Sequence, residues 1–278
     1  MEKSPLTAVY LEPDSSKRVS SFFECLRVQV RVITALMKRE MLTRYGRHNI
    51  GFLWVFGEPM LFTLGVTALW NIIPHHPEGG ISVTAFILTG YSTILLWRNM
   101  PNRVIGALAP NSSLMFHAQV KLIDVYLSRL ILEAAGATGS LFFLTFVFVG
   151  LGLVEPPKDY LLALLGWFLL GWYAFSVSLL FGALSERVEI IERVWHIFQY
   201  LMIPLSGSFF YVNALPTEFQ ALLLWNPTVS CVEIFRAGFF GGEYNWTYDA
   251  SYVVKVSLLF GLLGLNQTKT LSGSIHLQ

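Results

Sequence analysis

Glu58 sits in an otherwise apolar run, LWVFGEPMLFTLGVTALW from Leu53 to Trp70. At 1.5 Å per residue it falls about 10 Å into a helix that begins at Gly51. An ionised carboxylate at that depth is expensive unless it faces a partner, a cavity or the interior of a helix bundle. Two roles fit. One is a protonatable carrier site, as in a pump. The other is a structural acid bonded to a neighbouring helix, which the run favours because it contains no second acid, histidine or arginine. Pro59 removes an amide donor and clashes with the carbonyl of Val55, so a bend is expected at the same depth.

Asp124, Arg129 and Glu133 form a second charged group, at the start of the apolar stretch from Val125 to Leu153. Arg129 and Glu133 are one helical turn apart and can pair. Glu189 and Arg193 have the same spacing, with Glu186 and Glu192 beside them. That charge-dense turn reads either as a solvated face or as a docking surface for a soluble partner. His75, His76 and Glu78 invite a metal reading, but adjacent histidines lack the spacing of a zinc site.

No G-x-x-x-x-G-K-[ST] run occurs, nor any Gly-Lys dipeptide, so this chain cannot cradle nucleotide phosphates in a P-loop. The order of residues supplies no nucleophile–base pattern or carboxylate pair for bond chemistry. A net charge of +1 gives no reason to expect nucleic acid as a partner. Cys25 and Cys231 fall in segments assigned to opposite sides of a membrane, which argues against a disulfide. Aromatic residues concentrate late in the chain. Tyr211, Trp225, Phe239 and Trp246 read as an outer interfacial belt or as a stacking path for a sugar polymer.

The elements that position these groups follow from composition. Apolar residues make up 54% of the 278 residues and charged ones 13%, about half the charge of a soluble domain at roughly 25%. Residues 1–21 mix Pro, Ser and charge without periodicity and read as a flexible cytoplasmic tail. From Phe22 to position 47, Phe22, Leu26, Val30, Ile33, Met37 and Met41 share one helical face, and Glu24, Arg27, Arg31 and Lys38 the opposite one. Such a helix suits the headgroup layer of a bilayer. The predicted fold is an all-α integral membrane protein, with this interfacial helix followed by a permease domain over 48–268 and a cytoplasmic tail over 269–278.

Six spans are expected near 51–73, 81–97, 125–153, 160–184, 194–211 and 246–265, because about 20 apolar residues cross the hydrocarbon. The positive-inside rule then puts sixteen of the nineteen Lys and Arg on the cytoplasmic side, with both termini. The exceptions are Lys158, Arg236 and Lys255. The segment from Val212 to Tyr244 is too interrupted by Pro216, Pro227, Glu218, Glu233 and Arg236 to be a span. A half-helix or helical hairpin dipping in from the outer side fits it.

The motifs, taken in order, resemble the inner-membrane permease subunit of bacterial ABC exporters of capsular polysaccharide. RYGRHNIGFLWVFGEPM from Arg44 to Met60 is similar to the family's approach to its first span. MPNRVIGAL, with HAQVKLIDVYLSRLILE from His117 to Glu133, resembles its first inner link and third span. WNPTVSCVEIFRAGFF from Trp225 to Phe240 resembles its outer re-entrant segment.

The resemblance implies a homodimer of six-span subunits in the bacterial inner membrane, bound to two cytoplasmic ATPases that hold the ATP and Mg. It implies export of a lipid-linked polymer toward periplasmic and outer-membrane export proteins. This chain would be no enzyme and would carry no cofactor of its own. The link from Pro101 to Gln119 would hold the coupling helix, with Arg103, Pro110, Asn111 and His117 as candidate coupling residues. The carboxy-terminal QTKTLSGSIHLQ carries a single Lys where relatives tend to end in a basic cluster. O-antigen export permeases share the architecture, and the rivals from other classes are a lipid or drug exporter and a passive channel.

Overall fold

The structure is a computed structural model that describes residues 22–45, 51–72, 81–115, 120–242 and 244–275. Its regular elements are helical: α1 (Phe22–Tyr45), α2 (Gly51–Ile72), α3 (Val83–Val104), α4 (Ser112–Met115), α5 (Leu122–Gly150), α6 (Tyr160–Ser185), α7 (Glu189–Met202), α8 (Thr217–Leu223), α9 (Pro227–Phe240) and α10 (Ala250–Ile275). Single 3-10 turns occur at Ala109–Asn111 and Val212–Ala214. The tail over 1–21, the His75–His76–Glu78 link and His117 lie outside the described residues.

Among the described residues, four helices are long and apolar enough to cross a membrane, over Leu53–Ile72, Leu122–Gly150, Tyr160–Ser185 and Ala250–Gly273. α3 has the length but ends in Arg98 and Arg103. Two expected boundaries need correction. The helix placed over 194–211 runs instead over Glu189–Met202, and the backbone from Ile203 to Tyr211 leaves the helix in a series of turns. Pro204, Gly207 and the serines around it supply the reason, since none of them propagates a helix well. The last helix begins at Ala250, after Trp246, and continues to Ile275, through most of the segment expected to be a tail. α2 passes unbroken through Pro59.

Local chemistry sets several ends. Ser82 accepts the Ala85 amide at 3.1 Å before α3, and Asp159 accepts the Leu162 amide at 3.0 Å before α6. Asn226 does the same for Thr228 at 3.2 Å, with Pro227 at the first helical position of α9. α6 forms the centre of the bundle, packed on α10, α9 and α3, while α5 packs on α3, α2 and α1.

In the interrupted segment, expected to be a half-helix or helical hairpin, the short α8 is followed by α9, and every residue of α9 from Pro227 to Phe239 is buried. Burial is that complete because backbones touch. A Cβ at Gly238 would overlap the backbone of Ala163 in α6.

The bundle has two chemically distinct ends. At one, the first turns of α5 meet α1 and the last turns of α3, and charge collects there. At the other, the start of α3, the end of α5 and the end of α9 line one cavity, and aromatic rings collect there.

Candidate functional site: a charge assembly and an aromatic cavity

Glu133 is the hub of the charged end. Its carboxylate accepts from Arg103 Nε at 2.8 Å and from Arg44 Nη1, and Arg44 also lies 3.7 Å from Glu58. Arg129 does not pair with Glu133 one turn away. It reaches Glu40 on α1 at 3.3 Å and donates to the carbonyl of Arg103 at 2.9 Å. The expected intrahelical pair is thus replaced by two pairs between helices. The reason is geometric: α1 crosses this part of α5 with Glu40 and Arg44 one turn apart, and each finds an opposite charge on α5.

Further along the same contact, Gln29 donates to Asp124 at 3.0 Å, while the other Asp124 oxygen accepts the Lys121 amide at 3.0 Å. α1 therefore docks through a stripe of Gln29, Leu36, Glu40 and Arg44. The apolar residues Phe22, Leu26 and Val30 remain exposed. Glu58 has gained the partner that its own helix lacked, from Arg44 fourteen residues earlier.

These charges surround a cavity of about 280 Å³ between α2, α3 and α5, lined also by Tyr91, Arg98, Asn99 and Asn102. Asn102 donates to Gln199 and accepts from the Trp195 indole at 2.9 Å, and the Arg98 guanidinium lies 5.2 Å from the centre of the Tyr200 ring. Those three partners lie on α7, so the C-terminal half of α7 is tied to α3 by polar groups.

The link after α3 is clamped on two sides. The Gly106 amide donates to Ser185 at 3.3 Å and the Leu108 amide to Glu186 at 2.8 Å. Asn111 accepts from Arg39 at 2.7 Å and donates to the Ala107 carbonyl at 2.8 Å. Of the candidate coupling residues, Arg103 points into the charge assembly, Asn111 is buried, and Pro110 is exposed. Burial, with like charge from Glu192 as a further cause, pushes the Glu186 carboxyl above the ordinary carboxylate range, and the Leu108 amide opposes the shift. Glu189 and Arg193 pair as their spacing predicts, at 2.6 Å on an exposed surface.

At the other end, Tyr211 meets Trp246 edge-on at 6.4 Å, and Trp246 stacks on Phe240 at 6.1 Å and contacts Tyr244 at 5.7 Å. The Trp246 indole donates to the Gly241 carbonyl at 2.8 Å, which fixes its ring. Phe239, Phe240 and Tyr244 line a cavity of about 740 Å³ that also contains Glu155 and Lys158. Three of the four aromatic candidates thus belong to one neighbourhood, with Phe239 largely buried in it. Trp225 stands apart, 77% exposed, at the edge of a separate apolar groove lined by Tyr173, Trp195 and Phe198. Phe240 and Tyr244 belong to the late concentration of aromatic residues but were not among the four candidates, and the fold places both against Trp246.

Arg236, one of the charge-rule exceptions, is fully buried. It donates to the Gly207 and Phe210 carbonyls at 2.8 Å each and to Ser208, with its guanidinium 4.0 Å from the centre of the Phe86 ring. Gly90 permits this, since a Cβ there would overlap the Ser208 carbonyl. Glu233, one turn earlier, accepts the Val212 and Thr247 amides at 3.2 Å each. Together they hold the irregular backbone before α8 and after α9, satisfying carbonyls and amides that no helix satisfies.

A helical bundle with several apolar helices, a clamped link after α3 and a fully buried α9 is consistent with an integral membrane protein. The chain belongs to the ABC-2 type transporter family, whose profile matches residues 31–240. Among its relatives is the capsule polysaccharide export inner-membrane protein BexB of Haemophilus influenzae, 36% identical over 259 residues, 93% of this chain and 98% of that protein. The capsule polysaccharide export inner-membrane protein CtrC of Neisseria meningitidis serogroup A is 39% identical over 246 residues, 88% of this chain and 93% of that protein. The polysialic acid transport protein KpsM of Escherichia coli is 26% identical over 243 residues, 87% and 94% of the two chains.

Proposed function

We propose that this chain is the permease subunit of an ATP-driven exporter that moves lipid-linked capsular polysaccharide from the cytoplasm across the bacterial inner membrane. The observation that carries the reading is similarity over nearly its whole length to capsule polysaccharide export inner-membrane proteins. In this reading α2, α3, α5, α6, α7 and α10 are the six crossings, both termini are cytoplasmic, and the α8–α9 hairpin is re-entrant from the periplasmic side. α7 spans only about 21 Å at 1.5 Å per residue, so the turns after Met202 complete its crossing. The exposed Phe22, Leu26 and Val30 of α1 lie against the inner headgroup layer.

Two copies of the chain assemble with a cytoplasmic ATPase dimer, which binds ATP and Mg, and deliver polymer toward periplasmic and outer-membrane export proteins. The segment from Pro110 to His117 is the ATPase contact. Its motion reaches the α6–α7 turn through Glu186 and Ser185, and α1 through Asn111 and Arg39. At the outer mouth Tyr211, Phe239 and Trp246, with Phe240 and Tyr244, give sugar rings apolar faces. Stacking, worth about 1–3 kcal/mol for a nucleobase on an aromatic ring, holds a passing unit without trapping it.

Deleting the gene should abolish surface polymer, and the purified protein should carry a P-loop ATPase from its native membrane. Retained surface polymer would remove the glycan substrate, and absence of the ATPase would remove the ATP-driven mechanism. Charge or alanine changes across 110–117 should leave the complex assembled while uncoupling hydrolysis from export. Unchanged export across that scan would remove the coupling assignment.

A further inference from the structure

Among the described residues, the lining of the cavity between α2, α3 and α5 carries one more positive than negative charge. Three guanidiniums, of Arg44, Arg98 and Arg103, face two carboxylates, of Glu58 and Glu133. Glu133 is engaged by Arg44 and Arg103, and Glu58 lies 3.7 Å from Arg44. Arg98 is different. Its Nε is buried without a hydrogen-bond acceptor among the described residues, while its guanidinium is held against the Tyr200 ring. Buried polar groups in folded proteins are nearly always bonded, and a buried cationic N–H lacking an acceptor calls for an oxygen from elsewhere.

The neighbours on the same wall are Asn99 and Tyr91, one amide and one phenol. A guanidinium fork with neutral donors beside it suits an anion that presents several oxygens to one plane, as phosphate does. A cavity of about 280 Å³ has room for roughly nine waters at ~30 Å³ each. That accommodates a phosphate with its immediate substituents and is small for a run of sugar rings.

We propose that this cavity is a binding site for a phosphate-class oxyanion, with Arg98 as its principal ligand and Asn99 and Tyr91 as supporting donors. In the export reading on which its biological use rests, the anion is the headgroup of the lipid-linked substrate, engaged at the cytoplasmic end before the polymer follows. The binding chemistry itself requires only a phosphate, and a free phosphate ion or an ordinary anionic lipid would share it.

The test uses the permease purified with its ATPase in neutral detergent, at constant ionic strength, with the thermal unfolding midpoint as readout. One arm titrates phosphatidic acid in mixed micelles against phosphatidylcholine, and another titrates sodium phosphate. The midpoint should rise with phosphatidic acid for the wild-type chain and for an Arg193→Gln control. Half-saturation should move about tenfold to a hundredfold higher in Arg98→Gln, the loss expected for a charge-assisted bond. Arg98→Lys should fall between, keeping the charge without the fork. It also carries the comparison if Arg98→Gln does not fold.

A rise with phosphatidic acid alone assigns the site to a lipid headgroup, and a rise with both shows that phosphate suffices. No rise in either arm, or unchanged half-saturation in both Arg98 variants, overturns the proposal. Surface polymer separates this from the export reading. Export without a phosphate effect sinks the site alone, while a phosphate effect with unchanged polymer on gene deletion sinks the export reading and leaves the site standing.

Discussion

Replacing Glu133 with glutamine removes the negative charge on which two guanidiniums converge. The side chain is 9% exposed, Arg44 is 16% exposed and Arg103 35%. Breaking a buried ion pair by removing one partner costs about 3–5 kcal/mol. Two features pull the value toward the lower figure: Arg103 is a third open to water, and Arg44 retains Glu58 at 3.7 Å. A loss of about 3 kcal/mol corresponds to a fall of roughly 6–12 °C in unfolding midpoint, at 2–4 °C per kcal/mol for a large domain.

The measurement is thermal unfolding of the detergent-solubilised protein, extended to a double-mutant cycle with Arg103→Gln. The coupling between Arg103 and Glu133 should be about 1–3 kcal/mol. Arg193→Gln breaks a pair that is 75% and 78% exposed and should change stability by no more than about 1 kcal/mol. If Glu133→Gln moved the midpoint no further than Arg193→Gln, the view of Glu133 as the electrostatic hub of the charged end would be wrong.

Three other outcomes follow from the same geometry. Arg236→Met should cost about 3–5 kcal/mol by stranding Glu233 and the Gly207, Ser208 and Phe210 carbonyls, seen as loss of folded protein on size-exclusion chromatography. Gly238→Ala should destabilise by about 1–3 kcal/mol or more through overlap with Ala163, whereas Gly150→Ala, with open space at its Cβ, should not lower the midpoint. Glu186 has a folded-state pKa raised above its unfolded value, so its contribution is greatest below the unfolded pKa of about 4.3 and declines as pH rises through the folded one. Glu186→Gln should flatten that part of the stability profile, and an identical profile in wild type and variant would count against the buried placement of this carboxyl.

Much was legible before any coordinates, because bilayer chemistry leaves a one-dimensional trace. The charge-poor runs near 51–73, 125–153 and 160–184 marked long helices because a helix alone satisfies its own backbone in hydrocarbon, and apolar helices occupy Leu53–Ile72, Leu122–Gly150 and Tyr160–Ser185. The prolines and charges between Val212 and Tyr244 likewise pointed to a break in the helical pattern, and the segment is divided into the short α8 and the buried α9. Glu189 and Arg193 were predicted to pair from their spacing, since both lie on one helix and its period fixes their distance.

What remained hidden was partner choice between distant segments. The sequence offered Arg129 a neighbour in Glu133, yet it pairs with Glu40, 89 residues away, because the crossing of α1 over α5 decides which opposite charges meet. Glu58 lacked a partner in its own run and finds Arg44 for the same reason. Asn111, a candidate coupling residue, is buried and bound by Arg39 from α1, and Trp225 was grouped by composition with rings that the fold sets elsewhere. By itself the sequence determined the apolar helices and the uneven distribution of charge along the chain, both of which follow from local transfer energies and helical period. Only the tertiary structure decided which charges neutralise one another and which aromatic rings share a cavity, since those depend on helix crossings that bring together residues far apart in the chain.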